Sequence, residues 1–231
     1  MRHGGKVLID QLRIQGVKRV FCIPGESYLA ALDGLLESGI ETIVGRHEGG
    51  VSMMAEAYGK LTGKPGVAFV TRGPGATNAC SGVHVAFQDS TPLILLVGQV
   101  ASDQRDREAF QEIGYRKMFE PLAKWVAEID RADRIPEYIA RAFSVARSGR
   151  PGPVVLALPE DILAADCDVI DAKPVVEVTQ GADVNVVREI VERIAEAKRP
   201  FCIVGGSKWS KKASLNLQKF SEQMSLPIGT S

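Results

Sequence analysis

Pro92-Leu93-Ile94-Leu95-Leu96-Val97 is apolar at every position. A strand with one wet face alternates between apolar and polar residues. An unbroken apolar run bounded by turn residues fits a strand covered on both faces, as strands of parallel sheets are. Parallel neighbours need crossover connections of a dozen or more residues, usually helical. The run therefore predicts an α/β fold, and the chain around it supplies the crossovers.

The alternation begins with a helix over Lys6–Gln15, whose apolar positions include Val7, Leu8, Leu12 and Ile14. Strand Arg19–Ile23 is stopped by Pro24-Gly25, and helix Ser27–Glu37 leads to strand Glu41–Val44. A helix from about His47 to Leu61 ends in Thr62-Gly63-Lys64-Pro65, which combines helix-stop and turn residues. Strand Gly66–Val70, a helix from about Ala76 to Phe87 and the apolar run follow. Residues 99–124 are charged and weakly periodic, and read as a long functional loop with short helical pieces. Helix Ala132–Ser148 and strand Pro153–Leu158 complete a doubly wound, mostly parallel sheet with helices on both faces.

Past Pro159 the rhythm breaks. Residues 1–165 are expected to form the first domain, 166–183 an inter-domain linker, and 184–231 the beginning of a second α/β domain. That last part predicts a helix (Val184–Ala197), a strand (Phe201–Gly206), a helix (about Lys211–Met224) and an apolar end. It is short for a doubly wound domain, so the chain is expected to be a piece that stops inside its second domain.

Composition excludes several classes of partner. Lysine plus arginine equals aspartate plus glutamate, at 28 each, so no bulk charge favours nucleic acid or an anionic membrane. No apolar run reaches membrane-spanning length, and the start does not read as a signal peptide. Cys22, Cys80, Cys167 and Cys202 form no CxxC pair and no zinc-like spacing. A reduced, cytoplasmic protein without a metal site of its own is expected.

Three turns follow successive strands: Pro24-Gly25-Glu26-Ser27, Arg46-His47-Glu48, and Arg72-Gly73-Pro74-Gly75-Ala76-Thr77-Asn78. Ligands of open α/β sheets bind outside the carboxyl ends of strands, so the three turns can line one crevice. The glycine-rich turns also fit tight turns and helix capping. Among them, Glu48 puts a carboxyl group at the carboxyl end of a strand, beside a helix N-terminus. It fits two roles, a first-turn carboxylate favoured by the helix dipole and a proton-transfer group held in a crevice. Gly73–Asn78 lacks the third glycine of a dinucleotide fingerprint, Gly59–Pro65 lacks P-loop spacing, and no GxSxG is present.

Several segments resemble the N-terminal pyrimidine-binding domain of thiamine-diphosphate enzymes, especially acetolactate synthase and related 2-oxo acid decarboxylases and carboligases. They are Arg46-His47-Glu48, Met54–Gly59, Thr62–Val67, Thr71–Asn78, Pro92–Gln99 and Ser148–Val154. The similarity spans about residues 5–163, and residues 184–231 resemble the opening of the family's central domain. The resemblance implies that Glu48 hydrogen-bonds N1′ of the cofactor's aminopyrimidine. It would favour the tautomer that takes the proton from the thiazolium C2, so that C2 can attack a 2-oxo acid. A buried carboxyl with a raised pKa would suit that role.

The resemblance also implies that Pro24, Gly25, Gly73, Thr77 and Asn78 lie at the cofactor, and that Phe110 and Gln111 face the substrate. Phe110 equally fits interface packing. Mg2+ and the diphosphate would be anchored by a further C-terminal domain, and the site shared between subunits of a homodimer or homotetramer. FAD, carried by some relatives, has no basis in residues 184–231, and the chain alone is expected to be inactive. The alternative is a non-catalytic or regulatory module of the same fold, against which the presence of Glu48 argues.

The chain departs from the family pattern at several places: Gly49 stands where a glutamine often follows the glutamate, and Ala101–Arg107 is more charged than expected. Glu26 stands where a glycine is common, and Arg72 where a small residue is common. Arg72 fits either a receptor for a substrate carboxylate or a solvated surface arginine.

Overall fold

The computed structural model describes residues 1–178, 181–206 and 208–231. Thr179 and Gln180, within the expected linker, and Ser207, within the expected second domain, lie outside the described residues. The chain forms two units, Met1–Glu177 and Val178–Ser231.

In the first unit, β1 (Arg2–His3) and α1 (Gly4–Ile14) precede β2 (Arg19–Cys22), α2 (Leu29–Leu36) and β3 (Glu41–Val44). Then come α3 (Glu48–Thr62), β4 (Gly66–Val70), α4 (Pro74–Gln88) and β5 (Leu93–Gln99). The unit continues with α5 (Tyr115–Phe119), β6 (Trp125–Glu128), α6 (Ile135–Arg147), β7 (Pro153–Pro159), α7 (Glu160–Ala164) and β8 (Asp166–Cys167). Six strands form one sheet in the order β3-β2-β4-β5-β7-β6, and every neighbouring pair is parallel.

The apolar run is the middle of this sheet, and all of β5 is buried. Its side chains alternate between two cores. Ile94 and Leu96 face one with Val67 and Phe69 of β4, while Leu93, Leu95 and Val97 face the other with Ala68 and Val70. Helices α1, α2 and α6 cover the first core, and α3 and α4 cover the second. This is the doubly wound architecture expected from the sequence.

Local chemistry sets the helix ends near the crevice. The His47 imidazole accepts a hydrogen bond from the Gly49 N–H at 3.0 Å and caps α3, so Glu48 is the first helical residue. Gly63, left-handed at φ 68°, ends the helix. Pro74 opens α4, where its missing N–H costs nothing.

Three features differ from the sequence-based expectation. The charged stretch after β5 is followed at once by β6, an edge strand with only Ala127 buried, whose apolar pattern is too weak to read. Helix α2 starts after a single tight turn over Glu26–Tyr28, later than Ser27. Residues 166–177, expected as linker, are tied to the first unit. There β8 pairs antiparallel with β1, Asp171 accepts from Arg2 and Gln11, and the Val175 N–H donates to Gln15.

The second unit contains α8 (Val184–Glu196), β9 (Cys202–Val204), α9 (Lys211–Met224) and β10 (Ile228–Thr230). The two strands pair in parallel. Asp183 caps α8 and Ser210 caps α9 through their side-chain oxygens. Among the described residues, no helix is long and apolar enough to cross a membrane.

Candidate functional site

The strand order locates the crevice. From β2 the chain moves outward to β3 along one edge, then returns to β4 on the other side of β2. The gap between the carboxyl ends of β2 and β4 is therefore a topological switch point, where open α/β sheets bind ligands. The turn after β2 and the turn after β4 flank this gap. A Cβ at Gly25 would come 2.6 Å from Thr71 Cβ, so the two turns are as close as their residues allow. Ser27 Oγ and Thr71 Oγ1, 3.0 Å apart, bond across the same gap.

Glu48 reaches in from the first turn of α3. Its Oε2 accepts a hydrogen bond from Asn78 Nδ2 at 3.0 Å. Among the described residues, Oε1 accepts none. A Cβ at Gly75 would lie 3.6 Å from Oε1 and 2.8 Å from Thr71 Cγ2, so glycine here lets α4 pack on Thr71 and keeps a side chain away from the free oxygen. Glu48 is half-buried in this chain, short of the buried carboxyl that would suit the role the resemblance implies.

Two buried tyrosines hold the turns, and neither carries a local signal that would single it out. The Tyr28 hydroxyl donates to the Ile23 carbonyl just before Pro24, and its ring stacks on Phe69 at 5.6 Å. The Tyr115 hydroxyl accepts from the Gly73 N–H and donates to the Gly98 carbonyl, each at 3.1 Å. It thereby fixes Gly73 at φ 53°, a conformation that suits glycine. Burial pushes the Tyr115 phenol up to about 12, so it remains a donor at any ordinary pH.

Tyr115→Phe should cost about 1.5 kcal/mol by leaving the Gly73 N–H and Gly98 carbonyl unpaired. Because the folded-state pKa is raised, the hydroxyl's contribution is complete below the ordinary value near 10 and is lost as pH climbs toward about 12. Urea melts should show the cost at neutral pH and a shallower alkaline decline in the variant. Equal curves for the two proteins would refute the anchor.

The remaining candidates are placed as follows. Pro24 is exposed at the rim of the crevice. The Thr77 hydroxyl donates to the Pro74 carbonyl within its own helical turn, at 2.9 Å, and does not reach Glu48. Phe110 is 72% exposed, and its carbonyl accepts from Arg72 Nε at 3.2 Å. Gln111 packs on Gly73, where a Cβ would come 2.8 Å from Gln111 Cβ. Arg72 is not the solvated surface arginine that one sequence reading allowed. It is 8% exposed and ion-paired to Glu26 and Glu160. Among the described residues, no group of histidine, cysteine and carboxylate side chains is placed to hold a metal ion.

The fold is of the doubly wound α/β class, and the unspent carboxylate oxygen lies at the switch point where such folds bind small molecules. A family model described as "Thiamine pyrophosphate enzyme, N-terminal TPP binding domain" matches residues 2–118, and the chain belongs to that family. It is 36% identical over 99% of its length to the acetolactate synthase large subunit of Buchnera aphidicola subsp. Acyrthosiphon pisum, covering 41% of that protein. It is 33% identical over 98% of its length to an acetolactate synthase of Bacillus subtilis, covering 40%. The corresponding figures for acetolactate synthase isozyme 2 large subunit of Escherichia coli are 34%, 97% and 41%. The chain thus spans about two fifths of the length of the curated relatives it matches.

Proposed function

We propose that the chain is the pyrimidine-binding part of a thiamine-diphosphate-dependent 2-oxo acid decarboxylase or carboligase resembling acetolactate synthase, with Glu48 activating the cofactor. The observation that carries this reading is the Glu48 Oε1 left without a partner among the described residues, with no side chain at Gly75 to cover it and the other oxygen fixed by Asn78. The donor set fits a nitrogen heterocycle, because one carboxylate oxygen is left for a ring nitrogen while the other is held. Bound thiamine diphosphate supplies the electron sink that lets a 2-oxo acid lose CO2.

This chain's own residues handle one proton and the surroundings. Glu48 Oε1 holds the proton shared with the ring nitrogen, and Asn78 Nδ2 keeps the carboxyl oriented while it does so. Pro24, Gly25, Gly73 and Thr77 form the walls, and Phe110 and Gln111 stand on the side of a 2-oxo acid such as pyruvate. Half-exposure of Glu48 in one chain supports a site closed by a second protomer, in a homodimer or homotetramer, since proton sharing is favoured by excluding water. Mg2+ and the diphosphate are held by residues outside 1–231. Residues 1–165 act as the pyrimidine domain and 184–231 as part of a central domain. Four free cysteines suit a reduced, cytoplasmic setting.

Thermal unfolding with thiamine diphosphate and Mg2+ tests the reading. The 231-residue chain should show negligible saturable stabilisation. A longer protein carrying it, at about 100 times Kd, should gain roughly 2.7 kcal/mol. Absence of any gain in the longer protein would refute the cofactor, and clear saturable binding by the chain alone would place the diphosphate anchor within it.

A further inference from the structure

Glu26 and Arg72, two of the residues at which the chain departs from its family pattern, touch each other. Arg72 Nη2 donates to Glu26 Oε1 at 2.9 Å, Nη1 donates to Glu160 Oε2 at 3.2 Å, and Nε donates to the Phe110 carbonyl at 3.2 Å. The arginine side chain is 10% exposed, whereas Glu26 and Glu160 are 66% and 45% exposed. One guanidinium therefore binds its own turn after β4 to the turn after β2, to the start of α7, and to the loop carrying Phe110 and Gln111.

Exposed ion pairs contribute little. This one is different because the guanidinium is buried and its planar fork serves three acceptors on three segments. It is also a poor receptor for a substrate carboxylate. Three of its five N–H groups already donate to the protein, and two carboxylates on one guanidinium leave excess negative charge at the spot. An incoming carboxylate would lie beside two glutamates already paired to the same cation.

The loop it holds needs holding. Gln111 is left-handed at φ 65°, unfavourable for a residue with a side chain, and Asp106 and Glu108 are left-handed in the same loop. Gln111 is pinned on one side by Gly73, which has no side chain to push it away, and on the other by the Arg72 bond to the preceding carbonyl.

We infer that Arg72 is a positioning residue. It fixes the Phe110–Gln111 segment against the cofactor turn, and Glu26 and Glu160 commit its guanidinium to that use. The substrate's carboxylate is accordingly bound elsewhere. The structural part stands on contacts alone, and the functional part rests on the reaction proposed above.

Hydrogen exchange of the 231-residue chain tests the structural part. Arg72→Ser should speed exchange across residues 106–114 about tenfold or more while β4, β5 and β7 keep wild-type rates. The carboxylates it leaves behind are exposed, so the variant should fold. Arg72→Lys, with one point charge, should restore the loop only in part, and Glu26→Gln should loosen it less than Arg72→Ser. Unchanged loop exchange, or a uniform rise over the whole unit, would overturn the inference.

In the longer enzyme, Arg72→Ser should lower kcat for 2-oxo acids more than it raises KM. A roughly hundredfold rise in KM with kcat intact would mark a carboxylate receptor and overturn the positioning role. A wild-type enzyme inactive on every 2-oxo acid would instead strike the reaction reading, leaving the exchange result to decide the strut.

Discussion

Glu48→Gln in the longer enzyme should lower turnover by about 10²–10⁴-fold, the usual worth of a positioned proton-transfer group. The same substitution should leave the fold almost untouched. Glu48 is half-buried, and the one side-chain hydrogen bond it makes among the described residues, from Asn78, can be accepted by an amide oxygen as well. The carboxylate's attraction to the α3 N-terminus is worth about 0.3–1 kcal/mol, and that is the most the melt should lose. The two measurements separate the roles that the sequence left open. A first-turn carboxylate and a proton carrier both predict the small stability loss, but only the carrier predicts the collapse of turnover. The glutamine still offers a hydrogen bond in the right place and lacks only the ability to share a proton. Turnover within a few-fold of wild type, in a protein that melts normally, would leave Glu48 as a helix-end charge and remove the central residue of the proposed function.

Much of this site was readable because its parts follow strands in sequence. An apolar strand, a glycine-rich stop and a helix start are local patterns, and they put Gly25, Glu48 and Asn78 after the carboxyl ends of strands. Which ends are adjacent is not local. The switch point exists because β4 lies beside β2, not beside β3, and nothing in Gly66–Val70 states its neighbour. Tyr115 was illegible for the same reason, since its partners Gly73 and Gly98 belong to other strand ends. Edge strand β6 was hidden because an edge strand needs only one buried residue, Ala127, and offers no pattern to read. Arg72 left two readings open, and the structure supplied a use that neither contained. An arginine looks like a surface residue until the chain brings Glu26 and Glu160 to its fork.

Gly98→Ala should destabilise the first unit by about 3 kcal/mol, the upper range for overpacking, although it adds a single methyl group. Gly98 lies in the central strand β5, where every residue is buried. A Cβ there would fall inside the Ser27 hydroxyl and 2.5 Å from Ser27 Cβ. Ser27 is itself fully buried, so it has nowhere to swing. Backing away would break its bond to Thr71 and draw the Pro24–Gly25 turn from the β4 turn, opening the crevice at the switch point. The added methyl therefore acts on packing and site together, unlike Glu48→Gln, which acts on chemistry alone. The mechanism makes a second, sharper demand. Ser27→Gly removes both clashing atoms, at the cost of the Thr71 bond and some chain entropy, so on its own it should destabilise by about 1–2 kcal/mol. Combined with Gly98→Ala it should recover a large part of the 3 kcal/mol, giving a favourable coupling of about 2 kcal/mol in a double-mutant cycle read by urea unfolding. Additive losses would mean that the clash is relieved elsewhere, and that the contact between strand end and turn does not set the width of the crevice.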